Sequence, residues 1–183
     1  MGRLPKLEID QLDPQQLQIY NEIVASRGGS IDGPFAPWLR SPKLADRAQK
    51  LGAFCRYHTG LGGRLSELAI LITARHWRAN VEWQIHAPIA RQEGLCDSVI
   101  AALLSGQPPV FDQDDEQAVH DLAVELYATT RVSDACYQSA VKALGEQGVV
   151  ELIGVLGYYA MVAMTLNTFE IALPGQSVSP FPD

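Results

Sequence analysis

The feature that most constrains this chain is a series of helix start and stop signals, with apolar residues at spacings of three and four between them. Period-two alternation, which a half-buried strand needs, is almost absent, so the pattern predicts an all-α protein. Asp13-Pro14 sets an N-cap residue before a proline at the first helical position. Leu17, Tyr20, Ile23 and Val24 follow at helical spacing, and Gly28-Gly29 ends the run. Residues 28–40, rich in glycine and proline, read as a loop. Ser41-Pro42 repeats the start, and Leu44, Ala48, Leu51 and Cys55 continue it as far as a second loop at Gly60–Gly63.

Arg64 to Trp77 forms a strongly apolar helix, and Asn80 opens another that Gly94 ends. Asp97 caps a short helix ending near Gly106. After the linker QPPVFD, residues 112–128 read as one amphipathic helix, and Ser133 caps another reaching Leu144. A final helix runs from about Glu146 to Thr168. The total is about eight helices. The tail, 174–183, holds three prolines and is expected to be irregular. A length of 183 residues suits a single domain over 1–183 with a core of its own. Glu67-Leu68 and Glu151-Leu152 each open an apolar helix, and His86 and Glu170 each lie nineteen residues beyond those glutamates. That echo suggests a weak internal repeat.

Composition removes several classes of function. The net charge is −7 and the basic residues are scattered, which argues against a nucleic-acid partner. The most apolar stretch, Leu152–Leu166, is shorter than the roughly 20 residues of a membrane span. It reads as a buried core helix, with no membrane partner. The N-terminus lacks an apolar signal core, so a cytoplasmic location is expected. Cys55, Cys96 and Cys136 are dispersed, with no CxxC and no zinc spacing. They are expected to be free, buried thiols, and no metal site is expected.

The chemistry-bearing segment runs from Glu67 to Gly94. Glu82 and His86, four apart, share one helix face, where a carboxylate can orient an imidazole and stabilise its charged form. The same spacing fits an exposed helix pair contributing a few tenths of a kcal/mol. Glu67 lies in an apolar run, SELAIL, where a carboxylate needs a partner unless it sits in the helix's first turn. On one unbroken helix Glu67 and His86 would stand about 28 Å apart, so they meet only if the chain reverses. Asn80, a good N-cap, predicts that break, with Glu82 in the new helix's first turn. Pro88 removes a hydrogen bond to the Gln84 carbonyl and predicts a kink just after His86. His58 and His76 are further candidates to face a cavity. Tyr57, Trp83, Tyr158 and Tyr159 are core by default, but they would also suit a planar substrate. Arg56, Arg64, Arg75 and Arg78 are the cations able to clamp a carboxylate.

The segment RLSELAILITARHWRANVEWQIHAPIARQEGL, residues 64–95, resembles the central motif of the carboxymuconolactone decarboxylase and alkylhydroperoxidase D-like superfamily. GPFAPWLRSPKLADRAQKLG, residues 33–52, is similar to its first helical region. In the peroxidase branch the pattern is Glu, eleven residues, Cys, two residues, Cys, three residues, His. On this chain it places Glu67 and His86 on the family's Glu and His, and Ala79 and Glu82 on its two redox cysteines. The resemblance therefore implies the branch without the thiol pair, as in the decarboxylases. It implies an all-helical fold assembled into homotrimers or homohexamers, with sites at or near subunit contacts. It also implies a cofactor-free carbon–carbon lyase acting on a small lactone or unsaturated keto acid, or a related isomerase or hydratase.

In that reading protonated His86 delivers a proton, Glu82 orients it and Glu67 ends the relay. Arg64 or Arg75 receives a substrate carboxylate, and His76, Trp83, Tyr57 and His58 complete the substrate-binding set. The alternative is a non-catalytic member that binds a small ligand or serves as an assembly subunit. Redox activity through a cysteine would require a thiol close to His86.

Overall fold

The computed structural model describes residues 2–26, 31, 33–172 and 179–181. Eight α-helices follow a short 3₁₀ turn at Ile9–Gln11: α1 Pro14–Ser26, α2 Phe35–Trp38, α3 Pro42–Tyr57, α4 Gly62–Trp77, α5 Asn80–Gln92, α6 Asp97–Ser105, α7 Asp114–Thr129 and α8 Asp134–Thr168. No strand occurs among the described residues.

Helix α4 is the central rod. Ten consecutive residues, Leu65 to Ala74, are buried, so the helix is covered on all sides. Helices α5, α7 and α8 pack around it, and α6 closes one end. A sequence as apolar as SELAILITA has no polar face to offer solvent, which forces it to the centre.

Helix α8 is the second core element. It is also the one helix among the described residues long and apolar enough to cross a membrane, but 61% of its most apolar window is buried within the fold. Leu152, Val155, Leu156, Val162 and Leu166 face inward, as expected of a core helix. Gly145 divides it with non-helical dihedrals (φ 73°, ψ 165°), so residues 134–144 and 146–168 are two rods meeting end to end. That division falls where the sequence places the boundary at Leu144.

Helix α3 crosses α8 at Gly52. A Cβ there would collide with the Tyr158 phenol, so glycine permits the close approach.

Several local expectations need correction. Part of the 28–40 segment is helical, because Phe35 and Trp38 anchor α2 in the core. The Trp38 indole N–H donates to Thr165 Oγ1 on α8 at 3.0 Å. Gly28-Gly29 lies outside the described residues. Ser41 makes no side-chain cap bond, so Pro42 alone marks that start. Asp97 is already helical, and Cys96 occupies the cap position. The helix read from residue 112 begins two residues later, at Asp114. Asp13 does cap α1: its Oδ1 accepts from the Gln16 N–H while Gln16 Oε1 accepts from the Asp13 N–H, a reciprocal capping box.

Candidate active site

The site begins with the turn between α4 and α5. Arg78 adopts the left-handed conformation (φ 51°, ψ 39°), and the Ala79 N–H bonds back to the Ala74 carbonyl at 2.8 Å. That closes α4 and reverses the chain within two residues. Helix α5 then runs back along α4 and brings positions nineteen apart in sequence into contact. His86 Nδ1 lies 2.7 Å from Glu67 Oε2, and both side chains are buried. The reversal is the predicted one, but Asn80 does not cap α5. Ala79 holds the cap position, and the Asn80 amide turns to the backbone of Phe181 instead. Helix α4 starts at Gly62, so Glu67 lies beyond its first turn, and His86 supplies the partner a buried carboxylate requires. Helix α5 continues past Pro88 to Gln92.

Glu67, not Glu82, orients the imidazole. Glu82 lies one turn before His86 on the same face but forms no bond to it. Both Glu82 carboxyl oxygens are buried without a hydrogen-bond partner, and the residue is 2% exposed. Burial, reinforced by the negative charge of Glu67, pushes its pKa well above the usual carboxylate range. Among the described residues no donor reaches either oxygen, which favours the un-ionised form.

Glu82 and His86 line one wall of a cavity of about 160 Å³. Phe35, Val81, Ile85, Val162 and Leu166 make its apolar surface, with Tyr158, Tyr159 and Arg56 as its other polar groups. The His86 ring meets Tyr159 edge-on, with centroids 5.1 Å apart at 86°. Burial, then the Glu67 charge, pushes the Tyr159 phenol well above its ordinary pKa. Since Glu67 holds Nδ1, Nε2 is the imidazole nitrogen left outside that bond.

The predicted substrate-binding set largely disperses. Arg64 binds Asp115 and Glu116 on α7, with its second nitrogen 2.7 Å from Asp115 Oδ2, so it fastens helices together. Arg75 lies over the Phe181 ring at 5.4 Å, and His76 stacks on Tyr127 at 4.2 Å. Both line a separate surface groove. Trp83 is buried against Phe181, and Tyr57 and His58 are exposed.

The cation at the cavity is Arg56, which forms no salt bridge among the described residues. A sequence signal for it existed. It lies one turn after Gly52, on the α3 face that the glycine brings against α8. Cys55 is buried, but Cys96 is exposed and Cys136 half-buried, contrary to the expectation of three buried thiols. No cysteine is among the residues lining this cavity.

The second half of the chain does not build a matching site. Glu151 is buried and accepts from the Gly60 N–H at 2.6 Å and from Gln147 at 2.8 Å. Glu170, the counterpart of His86, sits at the surface in an ion pair with Arg3 at 2.7 Å.

No family model and no curated protein matches this sequence. Solved structures do match its fold. An alkylhydroperoxidase AhpD core protein from Ralstonia eutropha JMP134, described as an uncharacterized peroxidase-related protein, superposes with a TM-score of 0.77 at 13% identity. The match covers 94% of this chain and 92% of that one. The debrominase Bmp8, as a cysteine-to-alanine variant in complex with 2,3,4-tribromopyrrole, gives a TM-score of 0.73 at 13% identity over 94% and 91% of the two chains. An uncharacterized peroxidase-related protein from Silicibacter sp. TM1040 gives 0.71 at 10% identity over 91% and 90%. The fold is thus alkylhydroperoxidase D-like, as the central motif implied.

Proposed function

We propose that this protein is a cofactor-free acid–base enzyme that decarboxylates a small, conjugated lactone or keto acid. The observation that carries this reading is the buried Glu67–His86 pair, whose imidazole lines a small cavity of about 160 Å³. Its neighbours in fold space include a debrominase, which supports catalysis on this scaffold, although their identity to the chain is low.

The chemistry needs little more than this geometry. In the substrate the carboxylate sits on a saturated carbon attached to a carbonyl, or to the far end of a carbon–carbon double bond conjugated with one. The C–C bond to the carboxylate breaks, CO₂ leaves, and the electron pair moves into the carbonyl as an extended enolate. The substrate is its own electron sink. His86, protonated, then gives its Nε2 proton to the carbanionic carbon and becomes neutral. Glu67 accepts the Nδ1–H throughout, which fixes the tautomer and stabilises the imidazolium before transfer. Solvent returns the proton. Arg56 anchors a second, retained carboxylate, the role that Arg64 and Arg75 cannot fill. The cavity is smaller than the roughly 300–1,000 Å³ of drug-sized sites, which favours a compact substrate.

The test is a screen of small unsaturated lactones and keto acids for CO₂ release, followed by His86→Gln. The variant should lose about 10²–10⁴ of the rate, the usual contribution of a positioned acid or base. Full turnover in His86→Gln would remove the proton donor from the scheme. Tight, saturable binding of the same compounds with no CO₂ release and no isomerised product would instead favour a ligand-binding protein.

A further inference from the structure

The proton-transfer scheme leaves Glu82 unused, although it is the least expected group in the cavity wall. Its two oxygens are sealed from solvent and bonded to nothing. Buried polar atoms in folded proteins nearly always have partners, so a carboxyl with none on the protein is a candidate to receive one from a ligand. The charged and titratable groups around it are Glu67 on α4, His86 on its own helix, Arg56 on α3, Tyr158 and Tyr159 on α8, and Tyr127 on α7. None of them forms a hydrogen bond to it.

We propose that Glu82 is a catalytic hydrogen-bond donor: its un-ionised carboxyl O–H meets the carbonyl oxygen of the substrate and stabilises the negative charge that gathers there in the enolate. This rests on the acid–base reading of the same cavity and narrows its substrate class. The substrate must place a carbonyl oxygen against Glu82 while its reacting carbon lies at His86, one helical turn away. That requires a compact, flat, conjugated carbonyl acid, with the oxygen and the protonated carbon at opposite ends of the conjugated system.

The geometry explains why a glutamate suits this position. An ionised carboxylate would repel an enolate, but a protonated one donates a strong O–H···O⁻ bond where charge develops. Val81, Val162 and Leu166 line the cavity beside it, and apolar neighbours of this kind strengthen such a bond. Proton count is unaffected: the Glu82 proton is shared during the reaction and stays on Glu82 afterwards, while the proton added to carbon comes from His86.

The test does not depend on turnover. The infrared carbonyl band of an un-ionised carboxyl group is recorded near neutral pH for the wild-type protein and for Glu82→Gln. A band present in the first and absent in the second is expected. 4-Nitrophenolate, a compact, flat oxyanion, is then added as probe, and the band should move to lower frequency as the O–H donates to it. With a turned-over substrate, Glu82→Leu should lose about 10²–10³ in kcat with little change in KM, and Glu82→Gln less, because its amide still donates. A missing band, or a band indifferent to the bound probe, would overturn the proposal for Glu82 even if His86-dependent CO₂ release were found. Conversely, band and shift without CO₂ release would retain the donor and remove the decarboxylase.

Discussion

Phe181 is fastened to Asn80 by two backbone-to-side-chain hydrogen bonds, its N–H reaching Oδ1 at 2.8 Å and its carbonyl accepting from Nδ2 at 3.4 Å. The contact ties the C-terminal tail to the first residue of α5, the helix that carries Glu82 and His86. The Phe181 ring is buried, edge-on to Trp83 at 5.3 Å. Phe181→Ala should therefore destabilise the protein by about 3 kcal/mol, at the low end of core phenylalanine truncations because a tail can withdraw. Asn80→Ala should cost about 1–2 kcal/mol, the value of its bonds. Urea unfolding measures both. A Phe181→Ala loss under about 0.5 kcal/mol would mean the tail adds nothing here.

The Glu67–His86 pair lends itself to a double-mutant cycle. Glu67→Gln and His86→Gln each disturb a buried hydrogen bond, at a cost of about 1–3 kcal/mol. The double variant removes both and should lose clearly less than the sum, with a coupling of about 1–3 kcal/mol. Strict additivity in denaturant melts would show that the 2.7 Å contact has no energetic content.

How much of this was legible beforehand varies with the range of the interaction. The break at Arg78–Ala79 and the Glu67–His86 meeting were legible, because an apolar helix carrying a glutamate needs a partner and only a reversal supplies one. The division at Gly145 was legible as the glycine between a helix reaching Leu144 and another starting near Glu146. Which carboxylate holds the imidazole was not. Spacing of four selects Glu82, but the imidazole turns toward α4, and only packing decides that. Arg56 was legible only as one of four candidate arginines, since Gly52 had to be read as the contact with α8, and Phe181 reaches its place through a tail returning over a hundred residues, a contact that no local pattern encodes. Arg64 misled because an arginine beside the motif looks the same whether it faces a substrate or, as here, Asp115 and Glu116.

Arg64 consequently separates stability from activity. Arg64→Met keeps the aliphatic stem but leaves Glu116, which is 4% exposed, without its cation. A loss of about 2 kcal/mol is expected, the scale of hydrogen bonds to charged groups. In the surviving folded protein, kcat and KM should match wild type. A raised KM would return Arg64 to the substrate site.

The cysteines should react in a fixed order. Cys96 is exposed, and the Ser98 hydroxyl beside it lowers its thiol pKa, so it should label first with a thiol reagent. Burial pushes Cys55 up to about 11, and it should label only on unfolding. Cys136 is also raised to about 11 by partial burial and Glu125, and it should react between the two. Alkylating Cys96 should leave turnover unchanged, since it does not line the cavity. Inactivation at the rate of Cys96 labelling would bring thiol chemistry back into consideration.

Glu82 also leaves a signature in the pH dependence of folding. Its pKa is raised in the folded protein by burial and by Glu67, and it returns to the ordinary carboxylate value on unfolding. Below that ordinary value the group is protonated in both states and stability is unaffected. Above it the unfolded chain releases the proton while the folded chain keeps it. Stability then falls by about 1.4 kcal/mol per pH unit until the folded pKa is passed, and stays level beyond. Glu82→Gln has no proton to lose. Its stability relative to wild type should therefore be smallest near about pH 4 and should grow steadily as the pH rises toward neutrality. Parallel denaturation midpoints for the two proteins across that range would mean that Glu82 ionises freely inside the fold, and that the cavity holds water or a cation able to support it.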